Sequence, residues 1–182
     1  MSSDDASPSL HTFVDCHAGI VKQLQILERL ARPGPPEDSA RRQAADILAF
    51  FENVVRRHHR EEEQLLFTAA LAEAHPGAER DGIDAAAKRL TAEHRELEAL
   101  IDKVTPSLTA LMDGKTSVSL DRTKLLELSE RYKAHARYEE ASFLPQVQEI
   151  LERGGPQLAK LGLRLHLHDP AVQQQLHFGR WT

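Results

Sequence analysis

Cysteine is nearly absent from this sequence, and its scarcity limits the chemistry that the protein can use. Cys16 is the only cysteine, so an intramolecular disulfide is impossible and a thiolate metal cluster is excluded. Any metal site must therefore be built from histidine and carboxylate side chains.

Long apolar runs and dense positive charge are also missing. No stretch approaches the ~20 consecutive apolar residues that a helix needs to cross a bilayer, and the N-terminal segment is acidic and polar, unlike a signal peptide. The formal net charge is −5 and no Lys/Arg stripe is present, which argues against nucleic acid or an anionic membrane as a partner. We expect a cytoplasmic protein that binds neither.

What the chain does have is the composition of an ordinary globular domain and a large number of histidines. Its 182 residues are 41% hydrophobic and 28% charged, which is enough to bury a core without disulfides. The histidines number 10, and their positions carry most of the functional information.

Apolar residues recur at three- and four-residue steps in four long segments, which predicts four amphipathic helices. The predicted breaks lie at residues 33–39, 75–77 and 113–117, and the last helix ends at Gly154. Short connections favour antiparallel neighbours, so the expected fold class is all-α, an up-down-up-down four-helix bundle over residues 9–153. Residues 1–8 are predicted to be a flexible N-terminus and residues 154–182 a C-terminal extension or tail. Pro106 and Pro145 are expected to kink or end the third and fourth helices.

Each predicted helix carries a histidine where its apolar stripe calls for a leucine, and the second and fourth helices add a glutamate one turn later. The six polar residues on the stripes are His17, His58, Glu62, His94, His135 and Glu139. They lie at similar distances from the predicted turns, so all six can reach one layer of the core.

The second and fourth helices share a motif that reads H-x-x-x-E-E and is followed by apolar residues. A spacing of four places the imidazole and the first carboxylate on the same helix face, so that both can reach a single metal site. An isolated ionised glutamate in such a core would cost many kcal/mol or be forced neutral. Two of them, Glu62 and Glu139, therefore indicate a metal site.

The alternative is that these histidines are hydrogen-bonded core residues, which is the commoner role of a single histidine on an apolar stripe. Here, however, four helices each carry one such histidine, and two of these histidines have a glutamate one turn later. This combination favours metal binding. The histidines without such a pattern are expected on the surface: His11, His75, His166, His168 and His177.

Three further residues near the motifs stay open as members of the site. His59 lies about 100° round the helix from His58, so a flank position is expected and a further ligand is the alternative. Tyr132 is interpreted as a core aromatic whose hydroxyl could reach the site. Glu140 follows Glu139, and Glu61 and Glu63 are expected in solvent.

The motifs resemble the hemerythrin family, in its HHE cation-binding branch, over roughly residues 10–150. The resemblance rests on four features: His17, the motif from His58 to Phe67, the pair Glu93-His94 with Leu97 behind it, and the motif from His135 to Pro145. It implies a non-haem di-iron centre, with zinc or manganese as alternatives to iron. Carried onto this chain, it implies one iron on His17 and His58, one on His94 and His135, and bridging by Glu62 and Glu139.

Two departures from the oxygen carriers of that family bear on function. Those proteins have two histidines one turn apart on the third helix, where this chain has Leu90 and Glu98 on either side of His94. They also use an aspartate one residue further along the fourth helix, where this chain has Glu139 followed by Glu140. Both departures weigh against reversible oxygen carriage.

Three functions remain as hypotheses. A centre of four histidines and two carboxylates leaves open metal positions, so the first is binding or sensing of O2, NO or iron itself. The second is an enzyme, either a di-iron peroxidase with catalase-like activity or an iron-repair protein of nitrosative stress. The third is an interaction module whose metal, such as zinc, is only structural.

Overall fold

The computed structural model describes residues 8–32, 37–115 and 119–155, with side chains of the first helix described at residue 17 and from residue 19 onward. Within these ranges the chain is all-helical and contains no strand. The prediction for the extension at 156–182 lies outside the described residues, as does most of that for the N-terminus.

Four long helices make up the fold. Helix α1 is Pro8–Leu30 and α3 is Ala78–Met112. Helix α2 covers residues 37–73 as five consecutive segments: Glu37–Phe50, Phe51–Val55, Arg56–Glu61, Glu62–Leu66 and Phe67–Glu73. Helix α4 covers residues 122–154 as three: Arg122–Tyr138, Glu139–Phe143 and Leu144–Gly154. The segments 51–55, 62–66 and 139–143 are π-helical turns.

The helix ends follow from local chemistry. Acidic residues occupy the first turns of α2 and α3, where they offset the positive end of the helix dipole. Asp121 caps α4 by accepting a hydrogen bond from the Lys124 N–H at 3.1 Å. Gly77, with φ of 97°, makes the turn between α2 and α3 in a conformation that favours glycine.

Pro106 does not end the third helix, so that part of the prediction is wrong, and the kink stays a prediction. Helix α3 continues through it to Met112. The proline ring is exposed, and it removes only the hydrogen bond to the carbonyl of Asp102, an exposed residue whose carbonyl can turn to water. Val104 and Leu108 on either side are buried and hold the helix against the core.

The helices pack into a bundle in which α1 contacts α2 and α4, and α3 contacts α2 and α4. Its core consists of two apolar clusters. One contains Ile20, Ile47, Val54, Ile101 and Leu128 among others; the other contains Leu66, Ile83, Leu90, Phe143 and Val147 among others. On α2, α3 and α4 the buried histidines and glutamates lie in the chain between the parts that enter the two clusters, so a polar layer separates them. None of the helices in the described residues is long and apolar enough to cross a bilayer.

Candidate metal centre

The polar layer brings together all six residues that the sequence predicted for the site. Each is buried, with at most 4% of its surface exposed. They are His17 on α1, His58 and Glu62 on α2, His94 on α3, and His135 and Glu139 on α4. Their assembly from four helices explains why no short sequence motif contains the whole set.

One group of potential ligands joins α1, α2 and α4. A ligand atom from each of His17, His58, Glu62 and Glu139 lies within 4.8 Å of the others. His58 Nε2 is 2.9 Å from Glu62 Oε1, and His17 Nε2 is 3.3 Å from Glu139 Oε2. His17 Nε2 is also 3.8 Å from Glu62 Oε1, so the α1 histidine meets the carboxylates of both motifs.

A second group contains only histidines, and one of them was not expected in it. Ligand atoms of His59, His94 and His135 lie within 4.8 Å of one another. His59 is fully buried, and its ring stacks on His94 with centroids 4.1 Å apart. The flank position expected for His59 is wrong, and the alternative that it joins the site fits the geometry.

Helix α2 can place both His58 and His59 in the core because it packs between α1 and α3. Successive helical residues point about 100° apart, so His58 faces His17 on α1 while His59 faces His94 on α3. A sequence signal for this existed. The third helix lacks a second histidine, and the consecutive pair on the second helix could supply it.

Glu62 and Glu139 each face the histidines of both groups. Glu62 turns Oε1 toward His58 and Oε2 toward His94, the latter contact being 3.3 Å. Glu139 Oε2 lies 3.3 Å from His17 Nε2 and 3.6 Å from His135 Nε2. Both carboxylates therefore lie between the two groups of histidines.

An outer set of carboxylates orients the histidine rings. Each of four Nδ1 atoms has a glutamate oxygen at 2.9 to 3.1 Å. The pairs are His17–Glu140, His59–Glu98, His94–Glu63 and His135–Glu93. A carboxylate can only accept, so each Nδ1 carries a hydrogen, and metal-binding histidines are held in this way. Glu63, expected in solvent, is instead a half-buried partner of His94 and of Arg95.

Without a metal, the layer balances its charge with protons. Burial and the charge of Glu139 raise the pKa of Glu62 to about 8. Burial opposes a charge on His17, but Glu139, Glu62 and Glu140 together raise its pKa to about 9. Burial raises the pKa of Glu139, but the close contact and positive charge of His17 outweigh it and lower that pKa. A cation could replace the protons that Glu62 and His17 hold at neutral pH.

Two rings of the second histidine group can offer lone pairs. Burial opposes a charge on the third, His94, but Glu62 and Glu63 together raise its pKa. Burial and the neighbouring histidines lower the pKa of His59 well below its usual value. Burial also lowers the pKa of His135 to about 4, against the charge of Glu139. Both rings are therefore neutral, the form in which imidazole binds metals.

The inward atoms of the layer fit a metal site. Both oxygens of Glu62, both of Glu139, and the Nε2 atoms of His94 and His135 are buried without a hydrogen-bond partner among the described residues. Buried polar atoms are nearly always satisfied in proteins, so six such atoms converging on one layer form a place that a cation could occupy. Imidazole and carboxylate are donors that suit iron, and they also suit zinc or manganese.

Comparison with known proteins agrees with the site. No curated protein and no solved structure matches the chain significantly. A family model described as the hemerythrin HHE cation binding domain matches residues 9–147, which includes every residue of the two groups. Most of the chain is covered by this match, and the protein therefore belongs to the hemerythrin HHE cation-binding family.

Proposed function

We propose that this protein holds two iron ions between its four helices and uses them to bind O2 or NO. In this arrangement the four helices run up-down-up-down. One ion would be held by His17 and His58 and the other by His59, His94 and His135, with Glu62 and Glu139 available to both. The observation that carries the proposal is the position of Glu62, whose two oxygens face different histidine groups.

The donor set supports binding of a small ligand more than a closed structural site. Five histidines and two shared carboxylates do not fill two six-coordinate ions, so positions remain for an exogenous ligand. When bound, the iron would supply a redox-active centre with such open positions. The chain's own contribution is to bury that centre between apolar clusters and to fix the rings through their Nδ1 contacts.

The function is tested on iron-loaded, chemically reduced protein. Its visible absorption spectrum is recorded before and after addition of O2 and, separately, of NO, with chelated metal-free protein as the control. We expect the spectrum of the loaded protein alone to change. A loaded protein that responds to neither gas but consumes peroxide would instead be an enzyme. A protein that binds zinc in preference to iron and responds to nothing would have a structural metal.

A further inference from the structure

Arg95 on α3 lies on the outer side of the second histidine group, and the proposed centre leaves its role open. Its side chain is 59% exposed, yet its two terminal nitrogens face different carboxylates. Nη2 donates to Glu63 Oε2 at 2.7 Å, and Nη1 is 3.6 Å from Glu98 Oε2. Glu63 is on α2 and Glu98 is on α3, so the guanidinium links the two helices.

Each of these two carboxylates holds a histidine with its other oxygen. Glu63 Oε1 is 2.9 Å from His94 Nδ1, and Glu98 Oε1 is 3.1 Å from His59 Nδ1. The two imidazole rings are stacked, with centroids 4.1 Å apart and planes 6° from parallel. The contacts therefore form a closed loop. It runs from Arg95 through Glu63 to His94, across the stacked rings to His59, and back through Glu98.

A closed loop restrains the rings more than either hydrogen bond does alone. A carboxylate that contacts only an imidazole can turn and take the ring with it, whereas here both oxygens of Glu63 and of Glu98 have partners. The planar fork of arginine also fixes the separation of the two carboxylates. Arg56 on α2 approaches Glu98 Oε2 as well, at 3.9 Å, so we expect Arg95 to matter more for Glu63 than for Glu98.

The alternative is that Arg95 makes ordinary surface ion pairs, which contribute little to stability. Arg131 on α4 is an arginine of that kind, with a side chain that is 50% exposed. Its Nη1 and Nη2 are each 3.0 Å from a carboxylate, those of Glu96 and Glu127. These two glutamates are not among the four that contact the Nδ1 atoms of the site histidines. The two arginines therefore differ in what lies behind their carboxylates.

We infer that Arg95 is a positioning residue for the second metal ion, because it fixes the rings of His94 and His59 through their outer carboxylates. This inference rests on the proposed metal centre. A carboxylate released from the guanidinium would attract the Nδ1 hydrogen more strongly, and the imidazole would become a more basic ligand. A more basic ligand favours ferric over ferrous iron, so Arg95 keeps the reduction potential of the centre higher.

The contact loop is tested on the full-length, metal-free, isotope-labelled protein by NMR. Arg95→Gln removes the guanidinium, and Arg131→Gln is the matched control that removes the same charge. We expect the Nδ1 hydrogen of His94 to exchange with water at least about tenfold faster in Arg95→Gln, because hydrogen exchange reports local opening. The effect on His59 should be smaller, and Arg131→Gln should exchange as the native protein does. Both variants should keep the native urea midpoint.

The redox effect is tested on the iron-loaded protein by spectroelectrochemical titration. We expect the reduction potential to be more negative in Arg95→Gln than in Arg131→Gln, and to equal the native value in the latter. Arg95→Lys keeps the charge, but one ammonium nitrogen cannot hold both carboxylates in the geometry of the fork, so it should restore only part of the exchange protection.

Three results would overturn the inference while leaving the metal centre intact. They are native exchange of the His94 hydrogen in Arg95→Gln, equal potentials in Arg95→Gln and Arg131→Gln, and full recovery in Arg95→Lys, which would mean that charge alone acts. Failure of the native protein to bind metal would overturn both proposals.

Discussion

Three consecutive glutamates on α2 differ in what their carboxylates contact. Glu61 forms a surface ion pair with Arg57 at 2.7 Å. Glu62 faces inward to the histidines, and Glu63 accepts from His94 Nδ1 at 2.9 Å and from Arg95. Helical rotation of about 100° per residue separates the three roles.

Glu62→Gln should reduce metal occupancy at one or both positions. The substitution keeps the side-chain shape but removes a negative charge that would offset the cations in a buried layer. Metal content per chain, measured by mass spectrometry after dialysis, gives the result. Glu61→Gln is the matched control, and we expect it to keep full occupancy.

The metal occupancy of Glu63→Gln should lie between those of Glu62→Gln and Glu61→Gln. We expect its metal affinity to be lower by about 10- to 100-fold, the usual effect of changing a residue that orients a metal-binding histidine. If Glu61→Gln lost more metal than Glu62→Gln, the assignment of the inward face of α2 would be wrong.

At the scale of helices, the π-helical turns are the feature that the sequence did not predict. Glu62 and Glu139 each begin such a turn, with the N–H of Phe67 bonding to the Glu62 carbonyl and that of Leu144 to the Glu139 carbonyl. A π turn inserts one residue into the helix and is common at functional sites. Periodicity assumes about 3.6 residues per turn throughout, so it cannot reveal the insertion.

Pro106→Ala tests why α3 continues through a proline. Alanine restores the missing N–H and removes the ring clash, while the loss of a proline frees the unfolded chain and offsets part of the gain. We expect a net increase of about 1–2 kcal/mol in the free energy of unfolding, measured by urea denaturation. Lys103→Ala, at an exposed position on the same helix, should change it by no more than about 0.5 kcal/mol. A destabilised Pro106→Ala variant would mean that the proline fits a bend that the bundle needs.

Glu79 links the ends of three helices. Its Oε2 accepts from Arg153 Nη2 on α4 and from the His75 N–H after α2, both at 2.6 Å. These hydrogen bonds, that of Arg153 foremost, lower the pKa of Glu79 from 4.5 to about 2.

Because the pKa of Glu79 is lower in the folded protein, its contribution to stability is complete above pH 4.5 and is lost as the pH falls toward 2. The difference in unfolding free energy between the native protein and Glu79→Gln should therefore be constant above that range and shrink within it. When Arg153→Gln is also present, Glu79→Gln should change the unfolding free energy by less than it does in the native protein. A difference that does not vary with pH would show that the ion pair is not formed in solution.

At the scale of the whole molecule, a layer of buried polar residues lies between two apolar clusters. Metal binding should therefore be coupled to folding, since ligands from four helices meet only in the native state. An ion present at 1,000 times its Kd adds about 4 kcal/mol, and each kcal/mol shifts Tm by roughly 2–4 °C in a chain of this size. We expect chelation to lower Tm by about 10 °C in calorimetry. An unchanged Tm after verified metal removal would mean that the residues of the polar layer satisfy one another without a cation.

The sequence predicted the four helices and the meeting of six residues because stripe position and distance from a turn are local properties of the chain. His59 was misplaced for a different reason. Its burial depends on α2 having neighbours on two sides, and a single apolar stripe does not reveal the second neighbour. The Nδ1 contacts of Glu63, Glu93, Glu98 and Glu140 also join different helices, so no spacing within one helix encodes them.

The central claim, a two-metal centre with His59 among its ligands, is tested most directly by counting metal ions per chain. Protein purified from iron-supplemented cells is analysed by native mass spectrometry, together with His59→Ala and the control His75→Ala, whose side chain is 72% exposed. We expect about two ions in the native protein and in His75→Ala, and about one in His59→Ala, which loses a donor of the second group. A single ion in the native protein, retained in full by His59→Ala, would contradict the account.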